Sequence, residues 1–205
     1  FADFLVDEVY KPYFESKGEI DLGGLYPYVS KEYISFGQCD NKLSDADWKD
    51  HPLAKELGLK TMGDVYCRFQ QHLAKRIAKE FPGTKLFVLS YYNQADATED
   101  PRWMLPENFD VMFCAAALPK YTRKPGKLAP VMKRAHDWYV ASGNRPMSKI
   151  WLYTETRNPF LTAMIPEFVG EVPGVMGKYL GRDGCMFNYG GRQMWHYFWC
   201  PYVSF

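Results

Sequence analysis

Five times along the chain a short run of apolar, β-prone residues appears, and four of the five stop abruptly in a polar or aromatic cluster. The clearest case is Lys149 to Pro159. Ile150-Trp151-Leu152-Tyr153 gives way there to Thr154-Glu155-Thr156-Arg157, and Asn158-Pro159 breaks the run before a helical pattern. The other runs are Glu32 to Gly37, Lys85 to Tyr91, Phe109 to Ala115 and Cys185 to Tyr189. Continuous apolar strands without polar alternation belong to parallel sheets, whose faces are covered by helices. Most of the runs are followed by helical periodicity, so the chain reads as successive βα units. Such units build either an open doubly wound sheet or part of a barrel. No glycine-rich phosphate fingerprint follows any strand, which weakens a nucleotide-binding reading.

The helices are legible at two places above all. Thr61-Met62-Gly63-Asp64 has capping-box form, and Val65, Phe69, Leu73, Ile77 and Phe81 follow at i, i+4 spacing as one expected buried face. Pro82-Gly83 stops that helix. Gly126 to Ser142 is the second, with Pro130 near its start and Gly143 as its stop. Phe1 to Ser16 has helical spacing interrupted by Pro12. Asn41 to Lys60 reads as a long polar loop, and Ala95 to Asn108 leaves little room for a full helix. Phe160 to Gly170 reads as a loop with a short helix, Val172 to Leu180 as a helix, and Arg192 to Phe205 as the start of an aromatic helix.

The 205 residues suffice for one domain with a substantial core, and residues 1–205 are read as one barrel-type domain. A net charge of +1 gives no electrostatic case for nucleic acid or an anionic membrane, and the longest apolar run, Val111 to Leu118, is too short to span a bilayer. The five cysteines are scattered, without a Cys-x-x-Cys, so neither a zinc ribbon nor a disulfide framework is supported. His51, His72, His136 and His196 lack ligand spacing, and no metal or cofactor is expected. Aromatics reach 17 %, enough for some to line a surface on which the C–H faces of sugars can stack; the alternative is a core rich in Phe and Tyr.

Polar and aromatic residues recur where strands end: Asp40, Tyr91 to Asn93, Tyr153 to Arg157, and Asn188-Tyr189. A (β/α)8 barrel presents such a ring at its active face. A complete barrel takes about 250 residues. The five units are therefore expected to be the carboxyl-terminal portion of a larger barrel, closed by other domains or chains. Two carboxylates stand out, Glu155 and Asp40. The bland readings are a strand-end ion pair for Glu155 with Arg157, and a turn residue bonding its own backbone for Asp40.

The order of the motifs resembles a family. Ile34-Ser35-Phe36-Gly37-Gln38-Cys39-Asp40-Asn41 is followed by Tyr66-Cys67-Arg68-Phe69, opening a helix that ends in Lys79-Glu80-Phe81-Pro82-Gly83. Leu89-Ser90-Tyr91-Tyr92, Leu105 to Cys114, Ile150 to Glu155 and Gly184 to Gly191 come next. From Tyr33 to Phe205 this is similar to domain of unknown function 4838, bacterial proteins allied with α-glucuronidase-like glycoside hydrolases. The resemblance implies a TIM barrel, carbohydrate as substrate class, further domains, and an extracellular or periplasmic place. The chain departs from the family at Cys39-Asp40-Asn41, where Asn-Asp-Gly is usual.

Glycoside hydrolysis needs two carboxyl groups flanking the scissile bond, which Glu155 and Asp40 would supply. Tyr91, Tyr92, Asn93, Trp103, Tyr153, Asn188, Tyr189 and Trp48 would stack on or hydrogen-bond the sugar. Arg157 would take a carboxylate by its bidentate fork. A non-catalytic glycan-binding barrel would need the aromatics but not the carboxylates. A metal- or cysteine-dependent enzyme has thin support.

Overall fold

The computed structural model describes residues 1–17, 29–36, 44–91, 95–115, 128–147, 149–153, 177, 179 and 185–188. Five strands, β1 (Tyr33–Phe36), β2 (Lys85–Ser90), β3 (Phe109–Ala115), β4 (Lys149–Tyr153) and β5 (Cys185–Asn188), form one sheet. Every neighbouring pair is parallel, and the spatial order is the chain order. No reversal of strand order occurs among these five described strands, so no topological switch point of the kind that defines doubly wound folds lies between them.

In β1 to β3 one face is more fully buried than the other, although Cys114 on the second face is buried too. Ile34, Leu86, Val88, Phe109, Val111 and Phe113 are buried, and the register aligns Ile34 with Leu86, Leu86 with Phe109, and Val88 with Val111. The alternate residues Ser35, Phe87, Leu89 and Met112 are only half-buried. Strand alternation sends the two sets to opposite faces.

Four helices and an extended segment make up the described covering layer. Helix α1 spans residues 2–15 as an α-turn Ala2–Phe4, a π-helical stretch Leu5–Tyr10 and a final α-segment Lys11–Glu15. Pro12 does not break it. The Lys11 N–H reaches Val6 O five residues back, and Pro12 opens the last segment at a position where its missing N–H is tolerated. Helix α2 (Pro52–Leu57) lies within what the sequence suggested was a polar loop. Its start is nevertheless written in the chain: His51 accepts from Leu53 N, Pro52 is the first helical residue, and Gly58 ends the helix at φ 63°.

Helix α3 (Met62–Glu80) begins with the expected capping box. Thr61 Oγ1 accepts from Asp64 N, and Asp64 reaches back to Thr61 N. Its core face differs from the i, i+4 row read from the sequence. Residues Cys67, Gln70, Leu73, Ala74 and Ile77 are buried, whereas Val65 and Phe69 are half-buried. At 3.6 residues per turn each four-residue step drifts by about 40°, so a long i, i+4 row slides off any single face. Phe69 lies where that row has drifted toward α1, stacked on Phe1 and tilted against Phe36. Asp3 and Asp7 of α1 pair with Arg76 of α3, and Lys11 pairs with Glu80, so the two helices run parallel.

Helix α4 (Leu128–Ala141) buries Val131, Ala135 and Trp138, and the Trp138 ring lies parallel to Phe109 at 6.3 Å. Between α3 and α4 the described residues of the β2–β3 connection, 95–108, hold no α-helix, as expected. Among its described residues lies a 3-10 turn, Pro101–Trp103. The connection fills the layer as extended chain and is fixed by backbone contact. A Cβ built on Gly63 would stand 2.5 Å from Ala97 O. Gly63→Ala is therefore expected to destabilise the protein by about 2 kcal/mol, an overpacking penalty. An exposed helical glycine would instead gain up to about 1 kcal/mol from alanine. Urea unfolding decides, and unchanged or increased stability would refute the close approach.

Candidate functional site at the carboxyl ends of the strands

Parallel register brings the ends of the strands together. Ser90 is level with Phe113 of β3, and Tyr153 is level with Asn188. Tyr91, half-buried, follows Ser90 directly, so three residues read as sugar contacts lie at one rim of the sheet. Asp40, Tyr92, Asn93, Glu155, Arg157 and Tyr189 fall outside the described residues.

Chain length limits where the two carboxylates can go. Glu155 is two residues past the end of β4, and Asp40 is four past the end of β1. β1 and β4 are separated by three inter-strand steps of about 4.8 Å, roughly 14 Å across a flat sheet. Four extended residues reach at most about 14 Å. The pair can meet over a substrate only if the sheet curves or the Asp40 loop leans across it.

Two aromatic candidates sit elsewhere. Trp103 is 9 % exposed and belongs to the core, with the Arg68 and Arg102 guanidinium groups 5.4 and 5.0 Å from its ring centre. Trp48 is 6 % exposed, in the turn after Asp45–Asp47, with the Lys49 ammonium 5.9 Å from its ring. Neither presents an open stacking face. The sequence signal was composition, and composition does not separate a core indole from a rim indole.

A polar cluster that the sequence did not single out lies in the covering layer. A cleft of about 800 Å³ opens between the first turn of α3, the segment after β2 and the first turns of α4. Its carboxylates are largely engaged in holding its own walls. Asp64, 3 % exposed, accepts from Lys60 N at 2.8 Å, Thr61 N at 3.0 Å and the Thr98 hydroxyl at 2.5 Å. Thr98 Oγ1 in turn accepts from Asp100 N. Lys133 joins Glu99 to Asp137. The Cys67 Sγ accepts from Thr98 N, and burial, reinforced by Asp64, pushes this thiol up to about 12. A thiol held protonated at neutral pH is a poor nucleophile, so Cys67 is a packing residue.

Asp100 shows the opposite effect. Hydrogen bonds from the Arg102 side chain, then from its backbone N–H, hold the carboxyl at about 2, below its ordinary 3.8. A depressed carboxylate stabilises the fold fully above its unfolded value, and that contribution is lost as pH falls through the folded value. Arg102→Gln is expected to return the Asp100 carboxyl toward 3.8 and to remove that part of the acid sensitivity below about pH 4. A carboxyl-carbon NMR titration measures it, and an unmoved Asp100 midpoint would contradict the assignment.

Among the described residues no group of three or more His, Cys, Asp or Glu could hold a metal ion, and no helix is long and apolar enough to cross a membrane. No family model, no curated protein and no solved structure matches the chain. What the described residues define is a class: a parallel sheet whose strands follow chain order, with Tyr91, Tyr153 and Asn188 at the carboxyl ends of its strands.

Proposed function

We propose that the chain is the carboxyl-terminal portion of a (β/α)8-type barrel and acts on carbohydrate as a glycoside hydrolase. Asp40 and Glu155 are the acid and base or nucleophile. The observation that carries the reading is the unbroken parallel order β1 to β5. A barrel wall has this order, and an open doubly wound sheet reverses it. In such a wall the half-buried set Ser35, Phe87, Leu89 and Met112 faces inward, and the rim that carries Tyr91, Tyr153 and Asn188 is the face where barrels place their chemistry. The order of motifs similar to domain of unknown function 4838 supports carbohydrate as the substrate class. Tyr91, Tyr92, Asn93, Tyr153, Asn188 and Tyr189 then contact the sugar, and Arg157 takes an acidic group.

The test is a comparison of wild type with Glu155→Gln on a panel of oligosaccharides, measuring reducing-end release and binding separately. Lost turnover with retained binding supports hydrolysis. Binding without turnover in the wild type makes the protein a glycan-binding module. Turnover that survives Glu155→Gln removes this carboxylate from the mechanism.

A further inference from the structure

Trp48 and Trp103 have no open ring face, but two phenylalanines do. Phe1 is 74 % exposed and Phe4 55 %, the most exposed large apolar side chains among the described residues. Phe1 precedes α1, Phe4 lies in its first turn, and their rings stand 6.4 Å apart and 12° from parallel. Phe69 of α3 continues the row, 5.9 Å from Phe1 and 21° from parallel. Phe36, the last residue of β1, ends it 5.3 Å from Phe69. The row runs from the carboxyl end of β1 out over the seam between α1 and α3.

Polar atoms flank the rings on the same seam. Asp3 accepts from Arg76 through Oδ1, and His72 Nε2 lies 3.1 Å from that same oxygen. Asp3 Oδ2 and His72 Nδ1 have no partner among the described residues, and both side chains are open to solvent. Phe69, His72 and Arg76 recur at three- and four-residue spacing, so one face of α3 carries the ring and the polar pair together. A wholly apolar partner seated here would desolvate the carboxylate and the imidazole without replacing their hydrogen bonds with water. A sugar would not, because it offers C–H groups to a ring face and hydroxyls to the atoms beside it.

We infer that the α1–α3 seam is a second carbohydrate contact, in which Phe1, Phe4 and Phe69 take the apolar face of a sugar and Asp3 and His72 its hydroxyls. This rests on the carbohydrate reading of the protein. A second hold beside the strand-end rim raises the affinity for a long chain through effective concentration.

The test places 4-fluorophenylalanine at Phe4 in the full chain and follows its ¹⁹F resonance as neutral and acidic hexasaccharides are added. Calorimetric binding and reducing-end release are measured on the same panel. Phe1→Ala and His72→Ala are made in the labelled protein, with Val140→Ala as the control, since Val140 is a part-exposed apolar residue of α4. At least one hexasaccharide is expected to move the Phe4 resonance saturably. Phe1→Ala is expected to weaken that response roughly three- to tenfold, for the loss of one ring contact. His72→Ala is expected to weaken it by a similar factor, for the loss of about one hydrogen bond. Val140→Ala is expected to leave it as in the wild type. An unmoved resonance in a protein that binds or hydrolyses the panel would overturn the inference and leave the carbohydrate reading standing. A response that Phe1→Ala leaves unchanged is indirect and also overturns it. A resonance that follows protein concentration and not sugar makes the ledge a contact between copies, which overturns it as well. If the wild type neither binds nor hydrolyses any of the sugars, the carbohydrate reading fails and this contact with it. The wild-type titration needs no deletion, so it decides even where a variant does not fold.

Discussion

Asp64→Ala is expected to lower the unfolding free energy by about 3 kcal/mol, in line with breaking a buried charged hydrogen-bond network. The Asp64 carboxylate is the shared acceptor for Lys60 N, Thr61 N and the Thr98 hydroxyl. Alanine leaves all three donors without it and removes one arm of the α3 capping box, itself worth about 1 kcal/mol. The loss also frees Thr98, which orders Asp100 N and the strand-like segment that stands in for a helix. Asp64→Asn should be milder, near 1 kcal/mol, because the amide oxygen can still accept from the backbone and its NH₂ can donate to Thr98 Oγ1. Urea denaturation of the two variants measures both. Equal, small losses would mean that water replaces the carboxylate without penalty.

Glu155→Gln is expected to reduce turnover by at least about a thousandfold while affinity for oligosaccharide changes by less than about threefold. General acid–base catalysis alone supplies a factor of about 10² to 10⁴, and a nucleophile's loss removes the covalent route as well. Glutamine keeps the size and hydrogen-bonding reach of the side chain but can neither give a proton to the leaving oxygen nor attack the anomeric carbon. The pair of measurements separates roles that a single assay would merge. A fall in affinity equal to the fall in turnover would make Glu155 a binding residue.

The strands were legible because their signal is local. β3 occupies the residues read from the sequence, Phe109–Ala115, and the ends of the other four lie within one residue or so of the runs. The capping box of α3 was equally plain, since two short-range hydrogen bonds decide it. What escaped the reading depends on partners distant in the chain. The burial of Trp103 is set by Arg68, Arg102 and the core between α3 and β3. The depth of Asp64 is set by Thr98, thirty-four residues away. Helix α2 was overlooked for another reason: six residues are too few for apolar periodicity, and only the His51-Pro52 start and the Gly58 stop mark it. For the site, the rim position of Tyr91 and the level pairing of Tyr153 with Asn188 follow from the strand pattern, because an abrupt strand end places the next residues at the sheet's edge.

The sequential order of the sheet also shapes how the chain folds. Tyr33 must find Lys85, and Met112 must find Lys149, before either pair gains a ladder. Every strand contact thus closes a long loop, which raises contact order and slows the search. Strands added strictly in chain order can nevertheless be zipped one at a time during synthesis, each new unit docking on an edge already formed behind it. Until the next unit emerges, that edge is the site most open to pairing with the wrong strand.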